Sequence, residues 1–251
     1  MTEPVEREPA APHPLLSDFY DAGGERPAFV RHLFNETAAF YDGINRLYSL
    51  GSGAWYRRRS LLRAGLHPGH IVIDVATGTG LVAEQAVAIT GRRRDVIGID
   101  LSEAMLAIAS RKLGIPATQA IAEQLPIADA SADFVTMGYA LRHVSDLVVA
   151  FREFHRVLRP NGTVVLLEIG RPGNKLSRMI AETYFGRIVP LLSRWLSGGE
   201  KARTLTQYYW ATIDRCVAPE IILQALGDSG FVELRCDVDL DVMRSYVGRK
   251  R

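Results

Sequence analysis

The run Ile71-Val72-Ile73-Asp74-Val75-Ala76-Thr77-Gly78-Thr79-Gly80 leaves this chain few folds to choose from. An apolar strand ends in an acid, a turn with two glycines follows, and Leu81 to Val87 forms helix. Strand, glycine turn and helix in that order put a cofactor cleft at the C-terminal end of a parallel strand.

The rest of the chain repeats the alternation. Strands are expected at 71–75, 95–100, 117–121, 132–139 and 163–169, with helices at 81–89, 102–113 and 146–158. Ser102 can cap the second of these helices, and Glu103 suits its positive end. Arg159-Pro160-Asn161-Gly162 reads as a turn before the fifth strand. A helix from Pro219 and two strands, 231–238 and 242–247, close the chain. The fold class is therefore α/β, a doubly wound and mostly parallel sheet of seven strands. Residues 28–66 read as a helical cap broken at Gly51-Ser52-Gly53, and 170–214 as a helical lid insertion. Residues 1–27 read as a disordered tail, and 28–251 as one domain.

A chain of 251 residues with 47% hydrophobic content supports one sizeable core. The net charge of +2 is dispersed, which argues against nucleic acid as a partner. The two cysteines, Cys216 and Cys236, lack metal-ligand spacing, so no metal is expected. There is no signal-peptide order and no apolar run of about 18 residues. A cytoplasmic protein with at most peripheral membrane contact is expected.

Gly78-x-Gly80-x-x-Ala83 also satisfies a relaxed dinucleotide fingerprint, so NAD has to be weighed. Asp74 weighs against it. A strand-end acid is costly to bury without a partner, and the cationic ligand S-adenosylmethionine supplies one, although Asp74 could instead cap its own glycine loop. Asp100, 20 residues after Gly80, can hold ribose hydroxyls or serve as a turn acid before Ser102. Ala122 and Glu123 can edge an adenine ring, and Glu123 alone also reads as a solvated loop acid. Ala76 beside the loop, Leu101 after Asp100, Met105 in the next helix and Tyr139 at the end of strand four complete the expected cofactor contacts.

These motifs, together with Val30-Arg31-x-x-Phe34, Tyr41-Asp42-x-x-Asn45, Leu141-Arg142, Arg156 to Gly162 and Leu167-Glu168, carry a family resemblance. The chain resembles class I S-adenosylmethionine-dependent methyltransferases, and within them the ubiquinone/menaquinone biosynthesis C-methyltransferases, from Val30 to about Val247. The resemblance implies a Rossmann-like fold, S-adenosylmethionine as cofactor and a small hydroxylated aromatic or quinol acceptor methylated at ring carbon. O- or N-methylation in secondary metabolism is the alternative, and a cofactor-binding scaffold without activity a further one.

The resemblance sets Tyr41 over the cofactor, where an aromatic face near a sulfonium gains about 0.5–2 kcal/mol; a core aromatic is the equal reading. His143 and Arg142 follow strand four at the mouth of the cleft. An imidazole titrating near about 6.5 suits removal of a phenol or ring proton, while a structural histidine remains open. Arg142 could hold a phenolate or pair with an acid such as Asp146. The chain leaves the family pattern at four places: Ala140 and Asp241 stand for glycines, His143 for asparagine and Thr212 for serine. The stripe Ile180, Tyr184, Ile188, Leu191 and Trp195 reads as an acceptor channel, a homodimer face or lid packing.

Overall fold

The computed structural model describes residues 10–193 and 199–251. Three apolar segments, β1 (Val72–Val75), β2 (Val96–Asp100) and β4 (Ala132–Gly138), form the parallel heart of one sheet, with the short, mostly exposed β3 (Ala117–Gln119) at its edge. They pair parallel with each other, and β4 pairs parallel with β5 (Leu158–Ile169). The hairpin of β6 (Phe231–Asp239) and β7 (Met243–Lys250) completes the sheet, with β7 antiparallel to β5. The order is β3-β2-β1-β4-β5-β7-β6, so the chain reverses direction across the sheet between β1 and β4. Ligands of such sheets bind at that switch point, beyond the C-terminal strand ends.

The central strands are apolar on both faces because both faces are covered. Ile73 and Val75 pack under α6 (Leu147–Val157) and α10 (Pro219–Asp228). Val72 packs on the other face with α4 (Leu81–Thr90) and Leu113 of α5 (Glu103–Leu113). Ser102 caps α5 as expected, accepting from the Met105 amide at 3.2 Å. The fifth strand is longer than the sequence suggests. The Arg159–Gly162 turn lies inside β5, with Asn161 left-handed at φ 68°, because Leu158 pairs with Ala132 before the register shifts.

Of the cap helices α1 (Arg26–Thr37), α2 (Tyr41–Ser49) and α3 (Gly53–Arg63), the last packs Tyr56 and Leu61 into the core with α4. A third core joins α1 and α2 to the insertion, which runs through α7 (Lys175–Thr183), α8 (Val189–Ser193) and α9 (Gly199–Asp214). Val30, Leu33, Ile44 and Tyr48 meet Val189, Leu205, Tyr208 and Ile213 there. Leu16 and Tyr20 are buried in the same core. The expectation of a tail through residue 27 therefore fails from Ala10 onward. Ala10 accepts from the Leu147 amide at 3.0 Å, Pro12 accepts from the Val217 amide at 2.9 Å, and His13 is buried against the Arg142 carbonyl at 2.9 Å.

The proposed channel stripe points elsewhere. Ile180 is 58% exposed and Leu191 60%, while the Tyr184 hydroxyl donates to the Leu47 carbonyl at 2.7 Å. Trp195 lies outside the described residues. No helix among the described residues is long and apolar enough to cross a membrane.

Candidate active site

The glycine loop leaves β1 through Ala76, left-handed at φ 53°, and turns at Gly78 and Gly80. Asp74 is fully buried behind this loop. Its carboxylate accepts from the hydroxyls of Thr77 and Thr136, both at 2.6 Å, and from the Ala83 amide at 3.1 Å. It therefore staples the loop to β4 and to the first turn of α4. Burial pushes its pKa up to about 6, and those three donors only offset the cost. Gly80 also lies behind the loop, where a Cβ would come within 2.6 Å of Leu113 Cδ1. Neither Asp74 nor Gly80 lines the cleft, and both support the loop from behind.

The other expected cofactor residues converge. A cleft of about 810 Å³, open to solvent, is lined by Ala76, Gly78, Asp100, Leu101 and Met105 on the β1–β2 side. Ala122, Glu123, Tyr139, Tyr41 and His143 line it from the opposite wall and the cap. Asp100 ends β2 with one oxygen on the Ser102 amide at 2.8 Å and the other on the Gly78 amide at 2.7 Å. Burial raises it to about 6 as well. Glu123 accepts from the Ser145 amide at 2.6 Å and so ties the loop after β3 to the loop after β4. The lining holds these carboxylates and, among the described residues, no lysine or arginine. Such a lining suits a cationic ligand and not a pyrophosphate.

The cap is fastened over this cleft by side chains from the family motifs. Thr79 of the loop donates to Asp42. Arg31 makes a two-point ion pair with Glu103, 3.1 Å for each contact, and Asn35 accepts from Ser102 and from the Ala104 amide. Val30 and Phe34 of α1 thereby reach the cleft wall, a role the sequence reading did not assign them. Their spacing in Val30-Arg31-x-x-Phe34 was the available signal. The Tyr41 hydroxyl is buried, which raises its pKa, with Tyr209 and Asn45 beside it acting the other way.

His143 and Arg142 part company. The His143 ring stacks on Tyr208 with centroids 5.3 Å apart, and its Nδ1 lies 3.2 Å from the Tyr208 hydroxyl. Its Nε2 is buried without a partner. Burial first, then the charges of Arg142, His13 and Arg26, hold its pKa well below the usual 6.5, so the ring is neutral at pH 7. Arg142 does not line the cofactor cleft but lines an inner pocket behind Tyr139. It donates to Glu168 at 2.8 Å and to Thr212 at 2.5 Å, both within the protein, and only 2% of its surface is exposed. Arg142 pairs with an acid as expected, but that acid is Glu168, because Asp146 instead caps α6 through the Val148 and Val149 amides.

Beyond Tyr41 and Tyr139 lies a second, inner pocket of about 620 Å³. Tyr139, left-handed at φ 61°, and Tyr41 line both spaces. Phe185, Tyr209 and Ile213 of the insertion and Met243 of β7 supply its apolar walls. The insertion therefore does face an apolar cavity, through residues other than the expected stripe.

Comparison with known proteins decides the family, because residues 21–237 match the ubiE/COQ5 methyltransferase family. The chain belongs to that family. The ubiquinone/menaquinone biosynthesis C-methyltransferase UbiE of Coxiella burnetii is 30% identical over 215 residues, 83% of this chain and 84% of that protein. The demethylmenaquinone methyltransferase of Symbiobacterium thermophilum is 30% identical over 240 residues, 90% of this chain and 94% of that one. A methyltransferase structure from Thermotoga maritima covers 88% of this chain and 99% of its own, with TM-score 0.61 at 19% identity. Phosphoethanolamine N-methyltransferase 2 of Haemonchus contortus, bound to S-adenosylhomocysteine, gives TM-score 0.61 at 18% identity over 88% of this chain and 59% of its own. At those identities the structures show the shared fold.

This ubiE/COQ5 member is an S-adenosylmethionine-dependent methyltransferase. Of its four departures from the family pattern, only Ala140 and His143 line the cleft. Thr212 keeps the hydroxyl that Arg142 needs. Asp241 keeps a left-handed turn at φ 63° and accepts from the Gly173 amide at 3.3 Å.

Proposed function

We propose that this methyltransferase methylates a ring carbon of a hydroxylated aromatic or quinol held in the inner pocket. The observation that carries the reading is the shared wall. Tyr41 and Tyr139 belong to both the cofactor cleft and the aromatic inner pocket, so an acceptor there abuts the cofactor end nearest Gly78. The two relatives named above, one a C-methyltransferase of quinone biosynthesis, support a quinol-type acceptor.

The bound cofactor supplies an electrophilic methyl on a sulfonium. The chain's residues supply position and dryness. In this reading Asp100 would hold the ribose hydroxyls, Met105 would pack on the adenine edge, and Ala122 and Glu123 would form its rim, all four being lining residues of the cleft. The Tyr41 ring offers its face to positive charge. His143 lines the cofactor cleft and not the inner pocket. Its neutral ring serves as a base where the acceptor's reacting edge reaches between Tyr41 and Tyr139 into the cleft, taking the proton of a hydroxyl or of the ring carbon as aromaticity returns. Its unpartnered nitrogen also favours a second reading, O-methylation, in which the same base takes a hydroxyl proton.

Incubation with methyl-labelled S-adenosylmethionine and a reduced 2-alkyl-1,4-naphthoquinone, followed by NMR of the product, separates the readings. A ring-bound methyl is expected. A methoxy signal moves the assignment to O-methylation, and no turnover with any quinol overturns the acceptor class.

A further inference from the structure

Arg57 is a buried cation at the inner pocket that no protein acid answers among the described residues. It sits on α3, only 6% exposed, and lines the inner pocket but not the cofactor cleft. Its guanidinium lies over the Tyr139 ring, 5.3 Å from the centroid. Among the described residues it makes no hydrogen bond and no ion pair, and its Nε is buried without a partner. The other wholly buried arginine near the site, Arg142, has Glu168 and Thr212.

A buried donor without an acceptor is costly, because the Nε–H loses water and gains nothing in return. A ring face answers a small part of that demand. The other polar groups lining the pocket are the phenols of Tyr41, Tyr48, Tyr139 and Tyr209, the Asn45 amide, the Ser49 hydroxyl and Arg142, whose own charge is already met by Glu168. None brings a negative charge at neutral pH. The missing charge must then come from a ligand.

We propose that Arg57 binds an anionic oxygen of the molecule that occupies the inner pocket. The chemistry is a phenolate or carboxylate held by a charge-assisted hydrogen bond within an apolar, aromatic wall. This deepens the reading above and rests on it for the identity of the occupant. A ring made electron-rich by an ionised hydroxyl is the form of acceptor that carbon methylation requires, and Arg57 favours that ionised form. A second source of the same chemistry is the cofactor's own carboxylate, reaching past Tyr139. Because Arg57 lines the inner pocket alone, the acceptor is the source the geometry favours.

The test uses the full-length protein and the Arg57→Met variant, which keeps the length of the stem. The first arm titrates 4-nitrophenol, which ionises near neutral pH and whose phenolate absorbs visible light. Wild type should raise the phenolate fraction at slightly acid pH, and Arg57→Met should bind the probe roughly ten- to a hundredfold more weakly. The second arm compares S-adenosylmethionine with its decarboxylated form by calorimetry. If the phenolate arm is unchanged but Arg57→Met weakens only the carboxylated cofactor, the oxyanion is the cofactor's. The third arm is thermal denaturation. A residue held for a ligand leaves the Tm of Arg57→Met equal to or above that of wild type, since an unpaired buried charge has been removed. The proposal is overturned if both ligand arms are unchanged in Arg57→Met, or if Tm falls by several degrees with ligand binding intact. Failure of wild type to bind S-adenosylmethionine at all sinks the methyl-transfer reading instead, and the phenolate arm still judges Arg57.

Discussion

Neutralising Glu168 tests whether Arg142 is part of the frame or part of the chemistry. Both side chains are almost wholly buried, 2% and 3% exposed, with Nε to Oε2 at 2.8 Å. Glu168→Gln keeps an oxygen for the Leu141 amide, now 3.0 Å from Oε1, and removes only the charge. Arg142 is then an uncompensated cation in the core. Breaking a buried pair by losing one partner costs about 3–5 kcal/mol. For a chain of this size each kcal/mol lowers Tm by about 2–4 °C, so a fall of roughly 6–20 °C is expected. Arg142→Met exposes the opposite fault, a buried carboxylate. The double variant carries neither charge, so its loss should be smaller than the sum of the singles by at least about 2 kcal/mol. Urea denaturation of the four proteins completes the cycle. The reasoning is refuted if Glu168→Gln melts within about 2 °C of wild type, or if the two losses simply add.

Three further outcomes follow from the geometry. Asp100 rises from 3.8 to about 6 on folding, so its contribution to stability is present below about pH 3.8 and is lost as pH rises through about 6. Cofactor-free wild type should therefore lose up to about 3 kcal/mol relative to Asp100→Asn between about pH 4 and about pH 7, and a pH-independent difference in urea denaturation would contradict this. His143 is held neutral, so wild-type turnover should show no acid limb at about pH 6.5, and His143→Gln should cut turnover about a hundredfold while S-adenosylmethionine affinity stays unchanged; single-turnover rates and calorimetry check both. Leu16→Ala should cost about 2–4 kcal/mol in chemical denaturation, where a mobile tail would cost nothing.

Much of the frame was legible because local pattern decides it. Val72 to Val75 is apolar on both faces, Ser102 is a strong cap, and the acids of β1 and β2 end their strands where the cleft opens. The failures share a different cause. The partners of Arg142 lie 26 and 70 residues away at Glu168 and Thr212, so no local spacing shows that the arginine is already satisfied. Asp74 was correctly placed at the strand end, but its three donors come from the loop, from β4 and from α4, and only the folded sheet brings them together. The segment from Ala10 to Tyr20 is rich in Pro and Ala and looks unstructured. Its order comes from burying Leu16 and Tyr20 in a core built by α1, α2 and α9. The site residues on the cofactor side followed motif spacing and mostly converged. The acceptor side depends on the insertion, where exposed Ile180 and Leu191 carry the same periodicity as buried residues and mislead.

Calorimetric titration of S-adenosylmethionine into wild type and Asp100→Ala tests the central claim most directly. The cleft between β1 and β4, with Asp100 at its floor, should bind one cofactor per chain in wild type and bind it at least about tenfold more weakly in the variant. No heat of binding in wild type, or equal affinity in the two proteins, would contradict the account.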